Sequence, residues 1–327
     1  MRIGVVGAGI SGLAAAHTLT KAGAEVVVFE KSRGPGGRIA TRRLEGFTFD
    51  TGATSIAPRG LAIEQVMLHE LDTSELLQIE KSIYIHNSLR VSSGDVNRNA
   101  IPRYTYRSGN TQLAKLLARG IDVRYEQSVS ELQKVGTEFR VLGDAFDGLV
   151  LTPPIPQTST LLWSLGESRP VANARYRSCL SVLLGFGKAL PTLPYHALLD
   201  PDQRHPLTFL SVESQKCPGR APEGGTALVA QMSPGYSFNF YRKHDQEIID
   251  DVLVYLGRLY GAEALGDPVV QDVKRWKYSQ PDSVAMFDSV NEEAHRLVLA
   301  GDGVTGGRVE SAYESGVRAA RLLLEEK

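Results

Sequence analysis

The first thirty residues alternate between short apolar runs and a segment of small side chains. Residues 3–6 and 25–30 are mostly aliphatic and have the length of buried strands. Residues 10–22 combine small and apolar side chains in the pattern of a packed helix, and Gly23 closes that segment. A strand, a tight glycine turn, a helix and a second strand form a βαβ unit with a right-handed crossover. The chain is therefore predicted to begin with a parallel sheet.

The rest of the chain predicts a second, mainly antiparallel unit and a return to the first. Pro153, Pro154 and Pro156 interrupt the pattern sharply, which favours a crossing between domains there. Short strand-like runs separated by Pro- and Gly-rich loops follow, as is typical of an antiparallel sheet. The further predicted strands are residues 121–125, 138–142, 149–152, 181–186, 208–212, 227–231, 269–278 and 296–300, and the further predicted helices are residues 61–77, 111–119, 244–260 and 309–325.

Composition and charge exclude several classes of function. The 327 residues exceed the usual size of one domain, so two domains are expected. Lys and Arg number 36 against 37 Asp and Glu, and this balance predicts neither nucleic acid nor a membrane surface as partner. The two cysteines, Cys179 and Cys217, have neither a second Cys nor a His cluster beside them, so we expect no metal site and no disulfide framework. We find no leader sequence or membrane-length apolar run, which favours a cytoplasmic protein.

The first chemical motif is Gly7-Ala8-Gly9-Ile10-Ser11-Gly12, between the first strand and the first helix. Gly7 permits the tight turn, Gly9 lets the backbone approach a pyrophosphate, and Gly12 lets the helix pack against the strand. The start of the helix offers free N–H groups and a partial positive charge to that pyrophosphate. Glu30 ends the second strand where a carboxylate accepts ribose hydroxyls. These features predict a dinucleotide site and leave NAD and FAD open.

The second motif favours FAD. Lys31-Ser32-Arg33-Gly34-Pro35-Gly36-Gly37-Arg38 follows the acid directly, and Asp50-Thr51-Gly52-Ala53 comes soon after. Paired glycines let the backbone approach a flat ligand closely. The Arg38 guanidinium has the fork geometry that suits a phosphate.

The third motif is Gly301-Asp302-Gly303-Val304-Thr305-Gly306-Gly307-Arg308, between the last strand and the last helix. Asp302 is a candidate to hold a polyol or a phosphate, and the glycines are expected to clear space for a ring. The helix that starts near Val309 would direct its positive end toward the N1–C2 carbonyl side of a flavin, where reduction places negative charge.

Together the three motifs resemble the FAD-dependent amine oxidase superfamily, and they are most similar to renalase and the renalase-like bacterial oxidoreductases. Leu151-Thr152-Pro153-Pro154-Ile155-Pro156-Gln157 is similar to the strand-to-proline crossing of that family, and Arg275-Trp276-Lys277-Tyr278-Ser279-Gln280 to its late aromatic strand. The resemblance implies FAD bound without a covalent bond. The expected FAD contacts are Gly7, Gly9, Ile10, Ser11, Gly12, Glu30, Lys31, Gly36, Gly37, Arg38, Gly52, Ala53, Val129, Thr152, Gly301, Asp302, Arg308 and Val309.

The resemblance also implies an α/β fold of two domains. One is a Rossmann-like FAD-binding domain of residues 1–55, 106–155 and 290–327. The other is a substrate domain of residues 56–105 and 156–289, with a mainly antiparallel sheet and helices, as in amine oxidases.

The scattered histidines offer no catalytic constellation, so the chemistry is assigned to the cofactor. The resemblance to renalase implies hydride transfer from a small substrate, a dihydronicotinamide dinucleotide isomer, to flavin N5, followed by reoxidation by O2 to give hydrogen peroxide. Two departures bear on the substrate. Thr54 and Ser55 stand where renalases commonly have an aromatic pair, and Arg308 stands near an aromatic position of amine oxidases. Candidate residues of the substrate pocket are Trp276, Tyr278, Lys277, Arg308, Thr54 and Ser55.

Two alternatives remain open from the sequence. The first keeps the enzyme and changes the substrate, to an amine or to an apolar molecule that is desaturated. The second is a binding protein without flavin, of the kind represented by the GDP-dissociation inhibitors, which share this architecture. The retained Gly36-Gly37-Arg38 and Gly301-Asp302 segments disfavour the second alternative.

Overall fold

The computed structural model describes residues 1–87 and 90–325. In chain order, the strands are β1 (Arg2–Val6), β2 (Glu25–Phe29), β3 (Thr41–Leu44), β4 (Phe47–Asp50), β5 (Leu76–Gln78), β6 (Ser82–His86), β7 (Val91–Ser93), β8 (Tyr104–Tyr106), β9 (Asp122–Arg124), β10 (Gln133–Val135), β11 (Glu138–Val141), β12 (Asp144–Phe146), β13 (Gly148–Leu151), β14 (Arg175–Phe186), β15 (Tyr195–Leu199), β16 (Leu207–Val212), β17 (Thr226–Met232), β18 (Pro268–Ser283) and β19 (Leu297–Leu299).

The helices vary from single turns to seventeen residues. They are α1 (Ile10–Lys21), α2 (Leu61–Gln65), α3 (Val96–Asn99), α4 (Thr111–Leu117), α5 (Ile155–Ser164), α6 (Glu213–Lys216), α7 (Pro234–Phe240), α8 (Asp245–Tyr260), α9 (Ala262–Leu265), α10 (Phe287–Val290) and α11 (Val309–Glu325).

A parallel five-stranded sheet with the order β19-β13-β1-β2-β9 forms the centre of the first unit. Apart from the edge strand β9, its strands are short and mostly aliphatic because both faces of the sheet are buried there; every residue of β13 and β19 is buried. This arrangement confirms the predicted Rossmann-like fold.

Helices α1 and α11, from opposite ends of the chain, pack directly against each other. Gly316 of α11 makes this contact possible, because a Cβ there would lie 2.0 Å from the carbonyl oxygen of Ser11. Backbone packing this close explains why small residues line both helices. The first and the last helix of the chain therefore meet near the start of α1.

The second unit is built on a seven-stranded sheet with the order β18-β14-β17-β16-β15-β6-β7. Its pairs are antiparallel except for the parallel pair of β15 and β6, in agreement with the predicted, mainly antiparallel sheet. One face packs Val182 and Leu184 against Ile248 and Val252 of α8. The opposite face is turned toward the first unit, where Leu183 contacts the cluster of Phe47 and Phe49.

The strands of the two large sheets come from different parts of the chain. Those of the parallel sheet lie within residues 1–55, 106–155 and 290–327, and those of the larger sheet lie within residues 56–105 and 156–289. Helix α2 nevertheless contributes Ile63 to the core of the first unit. The exact boundaries stay a prediction, and residues 88–89 and 326–327 lie outside the described part of the chain.

The helix predicted over residues 61–77 starts as predicted and ends early, at Glu70. After α2 the chain makes one π-helical turn, Val66–Glu70, and then forms β5. Asp72 ends the helical pattern because its carboxylate accepts the N–H of Ser74 at 2.9 Å, a local turn that competes with helix continuation. Among the described residues, no helix has both the length and the apolar character that a bilayer span requires.

Candidate active site

The glycine turn between β1 and α1 has one open side and one closed side. A Cβ at Gly12 would lie 1.9 Å from the carbonyl oxygen of Gly7, so this position admits only glycine. A Cβ at Gly9 would meet no protein atom within 4 Å. Gly9 caps α1 without any side-chain hydrogen bond, which leaves the N–H groups of the first turn without an intrahelical acceptor. The turn therefore presents an open, electropositive concavity.

Glu30 borders this concavity at the end of β2 and is 7% exposed. Its two carboxylate oxygens accept the N–H groups of Ala8 and Ser32, each at 2.8 Å. A carboxylate has about four lone-pair positions, so each oxygen retains one for a further donor. Val129 lies on the neighbouring loop, where the N–H of Gln127 binds the carbonyl oxygen of Glu30 at 2.9 Å.

The second glycine motif lies directly on the first. The N–H of Gly36 donates to the carbonyl oxygen of Ala8 at 2.8 Å. A Cβ at Gly37 would lie 3.5 Å from the Cα of Gly9, so the two backbones are in close contact. Gly36 has a φ of 111°, a left-handed conformation that favours glycine. The exposed Lys31 is at the rim, next to Glu30.

Arg38 joins the second motif to the third. Both carboxylate oxygens of Asp302 accept hydrogen bonds from the Arg38 guanidinium, one of them at 2.8 Å. The hydroxyl of Tyr176 donates to Asp302 at 3.0 Å, and burial together with Asp302 raises the pKa of Tyr176, so the phenol stays a donor. The ring of Tyr278 packs edge-on against that of Tyr176, with centroids 5.8 Å apart.

A serine pair connects the third motif to the first helix. Ser11 Oγ lies 3.0 Å from Ser315 Oγ, and Ser315 Oγ also accepts the N–H of Gly301 at 2.9 Å. Thr152 binds the end of β1, because its hydroxyl donates to the carbonyl oxygen of Val6 at 2.8 Å. Helix α11 then begins at Val309, as predicted.

Two glycines of the third motif, Gly303 and Gly307, do not clear space for a ring, contrary to the expectation. A Cβ at Gly303 would lie 2.5 Å from the hydroxyl of Tyr176, and one at Gly307 would lie 2.3 Å from the side chain of Gln280. These glycines instead let two side chains of the second unit approach the backbone.

Residues 50–55 form the strip between the two units. A Cβ at Gly52 would lie 2.0 Å from the carbonyl oxygen of Arg38, which also accepts the N–H of Ala53 at 2.9 Å. The strip therefore holds the backbone of Arg38 in place. From the other side, Trp276 Nε1 donates to the carbonyl oxygen of Thr51 at 2.9 Å, and Gln231 Nε2 donates to that of Gly52 at 2.5 Å.

A buried network of four charges holds the same strip. The side chains of Asp50, Glu213, Lys216 and Arg220 are completely inaccessible to solvent. Lys216 Nζ donates to Asp50 at 2.9 Å, to Glu213 at 2.7 Å and to the carbonyl oxygen of Thr54 at 2.8 Å. Burial alone would raise the pKa of Asp50, but Lys216 and Arg220 hold it below its ordinary value. The carbonyl oxygen of Thr54 therefore ties the strip to this charge network.

One face of the large sheet is turned toward this strip, and we call it the substrate face. Strand register places four of its side chains in a row across β16, β17, β14 and β18, and a second row lies next to the first. All are half-buried except Ser181, which is buried. The substrate face consists of Phe209, Gln231, Ser181 and Lys274 in the first row and Cys179 and Trp276 in the second.

Most of the chain, residues 72–324, matches the model of the flavin containing amine oxidoreductases, and residues 5–68 match that of the NAD(P)-binding Rossmann-like domain. The chain belongs to the flavin containing amine oxidoreductase family. It is an FAD-dependent oxidoreductase, as predicted, and this membership excludes the binding-protein alternative.

The residues of the site fit FAD. The open side of Gly9 and the free N–H groups of α1 suit a pyrophosphate, and the remaining lone pairs of Glu30 suit ribose hydroxyls. Arg38 and Asp302 lie farther along the same cleft and bind each other, so their predicted contacts with phosphate and polyol stay predictions. The individual FAD contacts likewise stay predictions.

Sequence and structure comparisons place the chain among flavoenzymes of different activities. It is 54% identical over 55 residues to the zeta-carotene-forming phytoene desaturase of Myxococcus xanthus, which is 17% of this chain and 11% of the desaturase. Cyclohexylamine oxidase from Brevibacterium oxydans has a TM-score of 0.76 and 14% identity, with 99% of each chain covered. Putrescine oxidase bound to putrescine has a TM-score of 0.75 and 15% identity, again over 99% of each chain. At these identities the two oxidases show a shared fold.

The predicted residues of the substrate pocket separate into two groups. Trp276 lies on the substrate face, and Ser55 is half-buried at the end of the strip. Lys277 is exposed, and its Nζ lies 5.3 Å from the centroid of the Tyr278 ring. The side chain of Arg308 is 56% exposed and lies 3.6 Å from Glu310. The predicted substrate contacts of these two residues stay predictions.

Sequence reasoning missed five residues that shape the site. Ser315 and Lys216 carried no local signal, since their partners are distant in the sequence. Lys274 could have been found, because it precedes Trp276 by two residues and so shares its face of the strand. The missed residues are Tyr176, Lys216, Gln231, Lys274 and Ser315.

Proposed function

We propose that this flavoenzyme is an oxidase that removes a hydride from a small substrate held against the substrate face, beside residues 51–55. When bound, FAD supplies the hydride acceptor and passes the electrons to O2, which leaves as hydrogen peroxide. The protein residues then have to bind the substrate, align its reacting carbon and keep water away.

The observation that carries this proposal is the chemical character of the substrate face. Its six residues are aromatic, amide, hydroxyl, thiol and ammonium groups, and the carboxylate of Asp272, which neighbours Lys274 on the same side of β18, is ion-paired with Arg42. Burial raises the pKa of the Cys179 thiol to about 11, so the thiol keeps its proton at neutral pH. Such a face offers stacking and alignment rather than a carboxylate or imidazole base.

A dihydronicotinamide suits such a face. Loss of a hydride makes the nicotinamide ring aromatic, so the reaction requires no separate removal of a proton. The Trp276 ring is a fixed platform for a flat ring, because its Nε1 is bound to Thr51. We therefore propose a dihydronicotinamide as the substrate, in keeping with the renalase-like character of the motifs.

Amine oxidation and desaturation are the competing proposals within the same family. The similarity to the desaturase extends over 55 residues. That segment is 17% of this chain, which is too little to discriminate between substrates. The face holds the positive charge of Lys274, which disfavours a protonated amine.

The test is anaerobic mixing of the oxidised holoenzyme with dihydronicotinamide isomers, with benzylamine and with putrescine, while the visible absorption of the flavin is recorded. We expect rapid bleaching by at least one dihydronicotinamide isomer and none by the amines. Bleaching by the amines alone would overturn the proposed substrate. Subsequent admission of air should restore the absorption and release hydrogen peroxide.

A further inference from the structure

Lys274 is a cation at the centre of the substrate face. Its Cα pairs with that of Ser181, and Ser181 pairs in turn with Gln231, which binds the strip at Gly52. Lys274 Nζ lies 4.7 Å from the centroid of the Trp276 ring. Because the indole is itself bound to the strip, this contact holds the ammonium group beside the space where the substrate is proposed to bind.

Lys274 forms no ion pair of its own within the described part of the chain. The nearby carboxylate of Asp272 already forms an ion pair with Arg42, at 2.6 Å. Among the described residues, none forms an ion pair with Lys274. Desolvation lowers the pKa of Lys274, and the positive charges of Arg42 and Lys31 add to this effect, while Asp272 opposes it. An anion beside Lys274 would offset both the desolvation of the ammonium group and its repulsion from Arg42 and Lys31.

A half-buried, unpaired cation selects among ligands by their charge. A carboxylate or phosphate gains an ion pair in surroundings less polar than water, whereas a protonated amine meets a like charge. We propose that Lys274 is a specificity-determining residue that anchors an anionic carboxylate or phosphate group of the substrate and disfavours protonated amines. This inference rests on the proposed function, because it assumes that the substrate binds at the substrate face.

The test uses probes of nearly equal shape and different charge. The oxidised holoenzyme is titrated at constant ionic strength with benzoate, benzamide and benzylamine, and binding is followed by the change in the visible spectrum of the bound flavin. Benzoate is expected to bind at least tenfold more tightly than benzamide, and benzylamine more weakly than benzamide. Phenyl phosphate, compared with phenol, distinguishes a phosphate anchor from one that accepts only carboxylates.

Lys274→Met should abolish the preference for benzoate over benzamide and strengthen the binding of benzylamine. Lys134→Met is the matched control, since it removes a lysine that also lies over an aromatic ring, that of Phe139, in a different sheet. Lys274→Arg should keep the preference, which separates loss of charge from loss of packing.

Two results would overturn the inference: an equal preference in the wild type and in Lys274→Met, or no spectral change with benzoate at millimolar concentration. Both outcomes are independent of whether a dihydronicotinamide reduces the flavin. Failure of the proposed function is therefore distinguishable from failure of this inference.

Discussion

Ser11 Oγ and Ser315 Oγ lie 3.0 Å apart although 304 positions separate the two residues in the chain. Ser315 also accepts the N–H of Gly301, so this one hydroxyl joins the first glycine motif to the last. The cofactor cleft is thus closed by the two ends of the polypeptide. Its geometry depends on how tightly α1 and α11 pack.

Gly316 tests this packing directly. In Gly316→Ala the new Cβ would lie 2.0 Å from the Ser11 carbonyl oxygen, so the helices must separate. We expect the free energy of unfolding to fall by about 1–3 kcal/mol, the usual cost of overpacking, and FAD to bind more weakly. Urea unfolding and FAD titration measure the two effects.

Gly235→Ala is the control, because Gly235 lies in helix α7 and a Cβ there would meet no atom within 4 Å. This variant should be neutral, or more stable by up to about 1 kcal/mol, since alanine favours a helix over glycine. Equal stability of the two variants would show that the contact between the helices is looser than described.

The buried charge network should be intolerant of losing one partner. Lys216→Met leaves Asp50 and Glu213 without a cation that lies within 3 Å of both. Breaking a buried ion pair in this way costs about 3–5 kcal/mol, and we expect that loss in urea unfolding. Lys243→Met removes a surface lysine that pairs with Glu247, and its effect should stay within about 0.5 kcal/mol. A loss of less than about 1 kcal/mol for Lys216→Met would contradict the described network.

Stability should fall in mild acid because of His196. This side chain is 2% exposed, its Nδ1 lies 2.6 Å from the Lys81 carbonyl oxygen, and burial lowers its pKa to about 4. The unfolded chain has a histidine pKa of about 6.5, so it binds the proton first. The stability due to the neutral imidazole is therefore complete above about pH 6.5 and is lost as the pH falls toward 4. Burial also lowers the pKa of His86, which adds a change of the same sign.

Urea unfolding near pH 7.5 and near pH 5 measures this effect. The free energy of unfolding should drop by roughly 2 kcal/mol because of His196, and the drop should be smaller in His196→Gln. His69→Gln, at an exposed position, should keep the pH dependence of the wild type. If His196→Gln shows the same drop as the wild type, the imidazole is not the group responsible.

The first unit was predictable because its signals are local. Gly7, Gly9, Gly12 and Glu30 follow one another at spacings set by a single βαβ unit, and the structure reproduces those elements within a few residues. Helix α7 was missed although Ser233 caps it and Pro234 occupies its first turn, which is a local signal for a helix start.

The contacts that shape the substrate side were not accessible from the sequence. Trp276 binds a residue 225 positions away, and Lys216 binds Asp50 across 166 positions. Alternation along β18 places Trp276 and Lys274 on one face, but it does not show which face meets the first unit. That choice depends on the packing of the whole sheet.

The central claim is that the glycine turn of α1 holds the pyrophosphate of FAD, and Gly9→Ala tests it most directly. The added Cβ would touch no protein atom within 4 Å, so the fold should tolerate it, whereas it would fill the open side of the turn where the phosphates are expected. The measurement is the dissociation constant of FAD for the flavin-free protein, together with its urea unfolding. We predict unchanged unfolding and a dissociation constant at least tenfold higher than in the wild type. Unchanged unfolding with an unchanged dissociation constant would contradict the claim.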